Sequence, residues 1–220
     1  MKLDNRARVP KMEGAMARWY ARQRATAQQL ADYSRQAAEL TAGLAPDAAI
    51  LEVAPGPGYF AIELARRGFR VSGLDISQSF VAIANEAARD AGVSVAFRQG
   101  DAAKLPFAEG TFDLIVCQAA FKNFQHPVTA LNEMHRVLRP GGMAVIQDMN
   151  HGATKAEIRA EVDRMRLSGV NGFVTRRTLN VLRLRAATPE HFMKLIGDSV
   201  FHTGQVRAEG ILMEVRLTRA

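Results

Sequence analysis

From residue 49 onward, short apolar runs alternate with stretches of helical periodicity, and this alternation constrains the fold more than any other feature. Ile50-Leu51-Glu52-Val53 ends at a Pro/Gly cluster and reads as a buried strand. A helix follows from about Tyr59 to Arg67 and stops at Gly68, a C-cap residue. Phe69 to Leu74 gives a second strand, and Ser77 caps a helix that runs to about Asp90 and closes at Gly92. Val93 to Arg98 and Phe112 to Cys117 give a third and a fourth strand. Pro127 sits at the first position of the next helix, whose Val128, Leu131, Met134, Val137 and Leu138 recur at helical spacing. Arg139-Pro140-Gly141-Gly142 breaks it, and Met143 to Gln147 is a fifth strand. Three strand–helix units followed by two strands joined by a helix predict an α/β fold. In it a doubly wound, mostly parallel sheet is covered on both faces.

The flanks differ. Residues 11–42 read as two helices or one broken helix, and 153–185 as helical with an interruption around Ser168–Gly172. Thr188-Pro189-Glu190 starts a further helix. Val200–Arg207 and Ile211–Arg219 read as two strands joined at Ala208–Gly210, so the sheet should end in an antiparallel hairpin. At 220 residues the chain is expected to be one domain, with 1–42 as a helical cap and 151–185 as a helical insertion covering the substrate site.

Charge and cysteine content narrow the class. The chain has 29 basic and 22 acidic side chains, a formal net charge of +7. The excess is local: residues 1–40 carry +4 and residues 151–185 carry +5, whereas 41–150 carry −2. A nucleic-acid-binding core would itself be basic, so nucleic acid is not the expected partner. One cysteine, Cys117, cannot close an intramolecular disulfide, which fits a reducing, cytoplasmic compartment. No apolar run approaches the ~20 residues needed to span a bilayer, and no membrane partner is expected.

The strongest chemical signal is Glu52-Val53-Ala54-Pro55-Gly56-Pro57-Gly58-Tyr59, between the first strand and the first helix of the core. Glycines let a backbone approach a ligand, and a helix N-terminus offers unpaired N–H groups. Asp75, at the end of the second strand, lies 19 residues after Gly56, a spacing suited to a carboxylate that accepts from ribose hydroxyls. Alone, this turn would also satisfy a dinucleotide fingerprint.

Taken with Gly73-Leu74-Asp75-Ile76-Ser77, Gly100-Asp101-Ala102, Phe112-Asp113-Leu114-Ile115-Val116 and Val137-Leu138-Arg139-Pro140-Gly141-Gly142, the chain resembles class I S-adenosylmethionine-dependent methyltransferases. The resemblance is close over about residues 45–150 and looser over the hairpin. It implies a Rossmann-like, seven-stranded sheet and S-adenosyl-L-methionine as cofactor, leaving as S-adenosyl-L-homocysteine. It also implies residue roles. Glu52 would organise the ammonium end, and the backbone at Ala54, Gly56 and Gly58 would face the methionine part. Asp75 would bind the ribose, Ile76 would pack on the adenine, and Asp101 beside Ala102 would accept from the adenine amino group. Gln118 and Phe121 would contribute from the loop after the fourth strand. Ala54 departs from the family, which commonly has glycine there.

Because a sulfonium methyl is already activated, a base is needed only where the acceptor must lose a proton. His151 with Asp148, and His126, are the candidate catalytic residues on loops at the carboxyl edge. Tyr20 and Trp19 could cap the cofactor, or simply pack their helix. Arg164, Arg166, Arg176 and Arg177 could meet an acidic substrate, or form a solvated face. Gln118-Ala119-Ala120-Phe121 lacks the Asn/Asp-Pro-Pro-Tyr/Phe signature of many amino-group methyltransferases. The expected reaction is therefore methyl transfer to oxygen or carbon, less readily nitrogen, of an anionic or aromatic small molecule, by a monomer or homodimer without metal. An RNA or protein methyltransferase docking through the basic segments, and a cofactor-binding homologue that does not methylate, are the alternatives.

Overall fold

A computed structural model describes residues 12–165 and 169–220. Arg166 and the first eleven residues lie outside the described residues. Seven strands form one sheet in the order β3-β2-β1-β4-β5-β7-β6. They are β1 (Ala49–Val53), β2 (Arg70–Asp75), β3 (Val95–Gln99), β4 (Phe112–Gln118), β5 (Leu138–Met149), β6 (Gln205–Glu209) and β7 (Leu212–Thr218). The first five run parallel, while β7 pairs antiparallel with both β5 and β6, as the hairpin reading predicts.

Every residue of β1 is buried, as a central parallel strand covered on both faces must be. One face packs against α2 (Ala27–Leu40), α3 (Tyr59–Arg66) and α4 (Gln78–Asp90), with Phe60, Leu64 and Ala84 in the core. The other packs against α5 (Pro127–Val137) and α8 (Pro189–Gly197) through Leu131, Met134, Phe192 and Ile196. Strand order reverses between β1 and β4, and in such sheets ligands bind outside the strand carboxyl ends at that point.

Three details differ from the sequence reading. The connection from β3 to β4 (100–111) carries no helix. Instead Arg136 donates to the carbonyls of Leu105 (3.0 Å) and Phe107 (2.8 Å), and Glu133 accepts from the Leu105 N–H (2.8 Å). Strand β5 begins at Leu138, not Met143, because Gly141 and Gly142 exchange backbone bonds with Arg219 (2.7 and 2.9 Å) across a register shift. The hairpin begins at Gln205: residues before it turn at Ser199–Thr203, and Gly204 lies so close to Leu217 that a Cβ would meet it at 2.3 Å.

The N-terminal segment docks on the mouth of the sheet. Helix α1 (Gly14–Arg24) is preceded by Glu13, whose carboxylate accepts from the N–H groups of Ser79 (2.9 Å) and Gln78 (3.2 Å) at the start of α4. A carboxylate there meets the positive end of the helix dipole. The Ser79 hydroxyl and backbone bonds hold the Glu13 carboxyl below its ordinary pKa. Ser77 caps α4 by accepting from Phe80 (3.1 Å) and donates its hydroxyl to the Met12 carbonyl (2.7 Å).

Phe97 of β3 occupies a slot left by two glycines. A Cβ at Gly73 would sit 2.4 Å from the Phe97 ring, and one at Gly58 would sit 2.6 Å from it. This ring presses the Gly-rich turn against the sheet. Gly73→Ala should therefore destabilise by about 1–3 kcal/mol through overpacking. Thermal unfolding should show the loss, and Phe97→Leu in the same chain should recover part of it. Additive losses in the double variant would show that the two sites do not touch.

Candidate cofactor site

A cavity of about 660 Å³ opens at the carboxyl ends of β1, β2 and β4, within the size range of small-molecule sites. A larger, open depression of about 830 Å³ runs past Arg70, Arg98 and Arg139. There Arg139 is paired to Asp113 (2.6 Å) and Arg98 lies over the Phe107 ring. The deeper cavity, which holds the buried carboxyls of Glu52 and Asp75, carries the chemistry.

Two acids govern its floor. Asp75 ends β2, and its carboxylate accepts from the N–H of Gly56 (3.0 Å) and of Ser77 (2.8 Å). Burial raises its pKa, and those N–H bonds oppose the rise. Since a carboxylate has about four acceptor positions, two remain for a ligand. Glu52, on β1, is buried, and its Oε2 has no partner. Burial pushes its pKa up to about 8, against a bond from the Ala61 N–H and with the nearby Asp75 charge adding to the rise. An orphaned buried carboxylate oxygen aimed into a cavity fits a cationic ligand group.

The turn above these acids is strained at Ala54, whose φ of 59° lies in the left-handed region that favours glycine. Its N–H donates to Leu74 (2.8 Å), which fixes this geometry. The family's usual glycine would adopt it freely.

The sequence-predicted residues separate into two groups. Glu52, Ala54, Gly56, Asp75, Ile76, Asp101, Ala102, Gln118 and Tyr20 line the cavity, as does His126. Gly58 does not line it; its role is the Phe97 slot, and it caps α3 at φ 79°. Phe121 is a correction: its ring is buried against Phe124 and Phe192, at 5.0 and 4.8 Å between centroids, and faces away. Asp148 is another. It points to the opposite face of β5, where the Lys122 ammonium donates to it at 2.8 Å and the Lys122 N–H at 2.8 Å. His151 lies outside the cavity lining, its N–H bound to the Ala187 carbonyl (3.1 Å). Trp19 is 56% exposed. No residue of 151–185 among those described lines the cavity.

The cap supplies residues that sequence reasoning missed. Arg24 lies four residues after Tyr20, hence on the same face of α1, and its guanidinium is 5.5 Å from the Tyr33 ring and 6.0 Å from the Tyr20 ring. Met12, Arg24, Tyr33 and Phe80 all line the cavity, as do Phe124 and Gln125. The Tyr20–Arg24 spacing was the available signal. Cys117 is buried, which raises its thiol pKa and leaves it inert. Among the described residues no cluster of acids, histidines and cysteine could hold a metal ion.

Comparison with known proteins agrees with this architecture. Residues 51–146 match a family model described as a methyltransferase domain. The demethylmenaquinone methyltransferase of Thermus thermophilus is 39% identical over 116 residues, 52% of each chain. That of Deinococcus radiodurans is 39% identical over 99 residues, 44% of this chain and 41% of its own. The chain thus spans about half the length of the curated relatives it matches. A crystal structure of a putative S-adenosylmethionine-dependent methyltransferase from Methanococcus maripaludis covers 96% of this chain and 95% of its own at TM-score 0.74 and 18% identity, which shows the fold. A [4+2]-cyclase structure, of SpnF, is 31% identical over 56% of this chain and 47% of its own, at TM-score 0.53. Residues 51–146 thus match a methyltransferase domain, and the chain as a whole shares its fold with solved methyltransferase structures.

Proposed function

We propose that the cavity binds S-adenosylmethionine and that the protein transfers its methyl group to carbon or oxygen of a small aromatic acceptor. The observation that carries this reading is the pairing of an orphaned buried carboxylate, Glu52, with a second carboxylate, Asp75, on one cavity floor. Glu52 suits an ammonium, and Asp75 suits the paired hydroxyls of a ribose. Asp101 and Ile76 stand further along the same wall, Asp101 with its Oδ1 already accepting from Ala103 (2.9 Å). Bound there, the cofactor supplies a sulfonium-activated methyl group.

The protein's own part is positioning and exclusion of water. Tyr20 meets Phe80 edge-on at 5.8 Å, so the cap closes the wall above the ribose position. Asn123, Gln125 and His126 line the cavity from the loop that leads into α5. Its place in the cavity lining supports His126 as the proton acceptor, ahead of His151 and Asp148, which do not line the cavity. The relatives named demethylmenaquinone methyltransferase support a quinone-type ring as the acceptor class. The similarity to a protein titled a [4+2]-cyclase supports a second reading, in which the cofactor is bound without methyl transfer.

Incubation with S-adenosylmethionine and a panel of hydroxylated aromatic and quinol acceptors tests the first reading. It expects S-adenosylhomocysteine to form with at least one of them. Tight cofactor binding with no turnover across the panel would favour the second. By calorimetry, Asp75→Ala should weaken S-adenosylhomocysteine binding by about 100-fold or more, since two charge-assisted bonds are lost at about 1.5–3 kcal/mol each. Affinity within a few-fold of wild type would remove the ribose assignment. His126→Ala should lower kcat and leave that affinity unchanged, while equal turnover would remove it as a base.

Glu52 also sets a pH dependence. Its pKa is near 4.5 unfolded and about 8 folded. Between those values the native state holds a proton that the unfolded chain has lost, so this group's stabilisation is complete below the lower value and fades as pH rises through the higher. The Tm of the free protein should fall as pH rises towards about 8, and Glu52→Gln should flatten that fall. An unchanged pH slope in the variant would contradict the assignment.

A further inference from the structure

Helix α6 (Lys155–Arg164) and helix α7 (Gly169–Arg183) form the basic insertion after β5, yet neither lines the cavity. From 169 to 189 the chain has no acidic residue and four arginines: Arg176, Arg177, Arg183 and Arg185. One side of α7 is accounted for. Leu179 and Leu182 pack against a small cluster of Met149, Ala153, Ile158 and Ala186.

The other side is apolar as well. At about 100° per residue, Phe173, Val174, Arg177, Val181 and Leu184 fall within one arc of roughly 100°. The helical turn continues to Leu184, whose N–H donates to the Val181 carbonyl (3.2 Å). The four apolar side chains are 57%, 55%, 62% and 65% exposed in that order. Single exposed apolar residues need no explanation, but a stripe of four along one helix face does.

The charges choose among occupants. A second copy packed face to face would bring Arg177 near its own counterpart, with no acid in the segment to offset it. A nucleic acid would gain little from a stripe that offers no hydrogen-bond donor apart from Arg177. An anionic lipid surface satisfies both features. Phe173, Val174, Val181 and Leu184 would enter the boundary between headgroups and acyl chains, and the exposed Arg177 and Arg185 would reach the phosphates; Arg183 instead donates to the Ala153 carbonyl (2.6 Å) on the packed side. Among the described residues no helix is long and apolar enough to cross a membrane, but a helix lying in the interface needs no such run. The expectation of no membrane partner rests on the spanning criterion alone.

We propose that the outer face of α7 docks the protein onto an anionic lipid bilayer surface. This inference does not rest on the methyl-transfer reading. The full chain would be sedimented with vesicles of phosphatidylcholine alone and with added phosphatidylglycerol. It should pellet with the anionic vesicles, much less with the neutral ones, and less as salt screens the arginines. The double variant Phe173→Ser, Leu184→Ser should lose binding by about ten-fold or more, since two large apolar side chains no longer leave water. Both positions are exposed, so its melting curve and S-adenosylhomocysteine affinity should match wild type. Absence of pelleting with either vesicle would overturn the proposal, as would undiminished binding of the double variant. A concentration-dependent dimer that the double variant abolishes would overturn it in favour of self-association.

Discussion

A single carboxylate ties together the two loops on which the site depends. Asp75 ends β2 and accepts one bond from the Gly-rich turn after β1, at Gly56, and one from the turn into α4, at Ser77. Parallel strands cannot close into hairpins, so their carboxyl ends are joined only by whatever the following loops provide. Here the same oxygens that would receive a ribose also hold the loops that would surround it. Ser77 extends the chain of contacts outward, through its hydroxyl to Met12, and Glu13 caps the same helix. Cap, turn and strand end are thus one connected unit.

The site is stabilised unevenly. Phe97 presses the turn against the sheet through the space left by Gly58 and Gly73, which is ordinary packing. Glu52 and Ala54 work the other way: one is a buried carboxyl with an orphaned oxygen, the other a left-handed alanine. Such features cluster at functional sites because the surrounding structure overdetermines them. A cationic ligand group would satisfy Glu52 and return part of its desolvation penalty.

Much of this was legible in the sequence for definite reasons. Period and punctuation located the core strands and helices, since Gly68, Gly92 and Pro127 each mark a boundary by backbone chemistry. The loops carrying Glu52, Asp75 and Asp101 follow from strand ends, so their place at the cavity was readable too. What failed depends on which face a side chain takes. Asp148 and Gln147 are neighbours on β5, and strand alternation sends Gln147 to Gln118 (2.9 Å) and Asp148 to Lys122 on the other side. A shift of one residue in the assumed register would exchange them. Phe121 was lost to the same problem in a short 3-10 turn (Phe121–Asn123), and Arg24 was missed because its partners Tyr20 and Tyr33 meet only when α1 and α2 fold onto the sheet. The basic charge divides in a similar way. Arg24 lines the cavity, whereas none of the insertion's described arginines does.

The central claim is that Asp75 and Glu52 receive the two ends of one ligand. A crystal structure of the protein with S-adenosylhomocysteine tests it most directly. The account predicts both ribose hydroxyls within hydrogen-bonding distance of the Asp75 carboxylate and the ammonium within one water of Glu52. A ligand seated elsewhere, or one that leaves the Glu52 oxygen unpartnered, would contradict it.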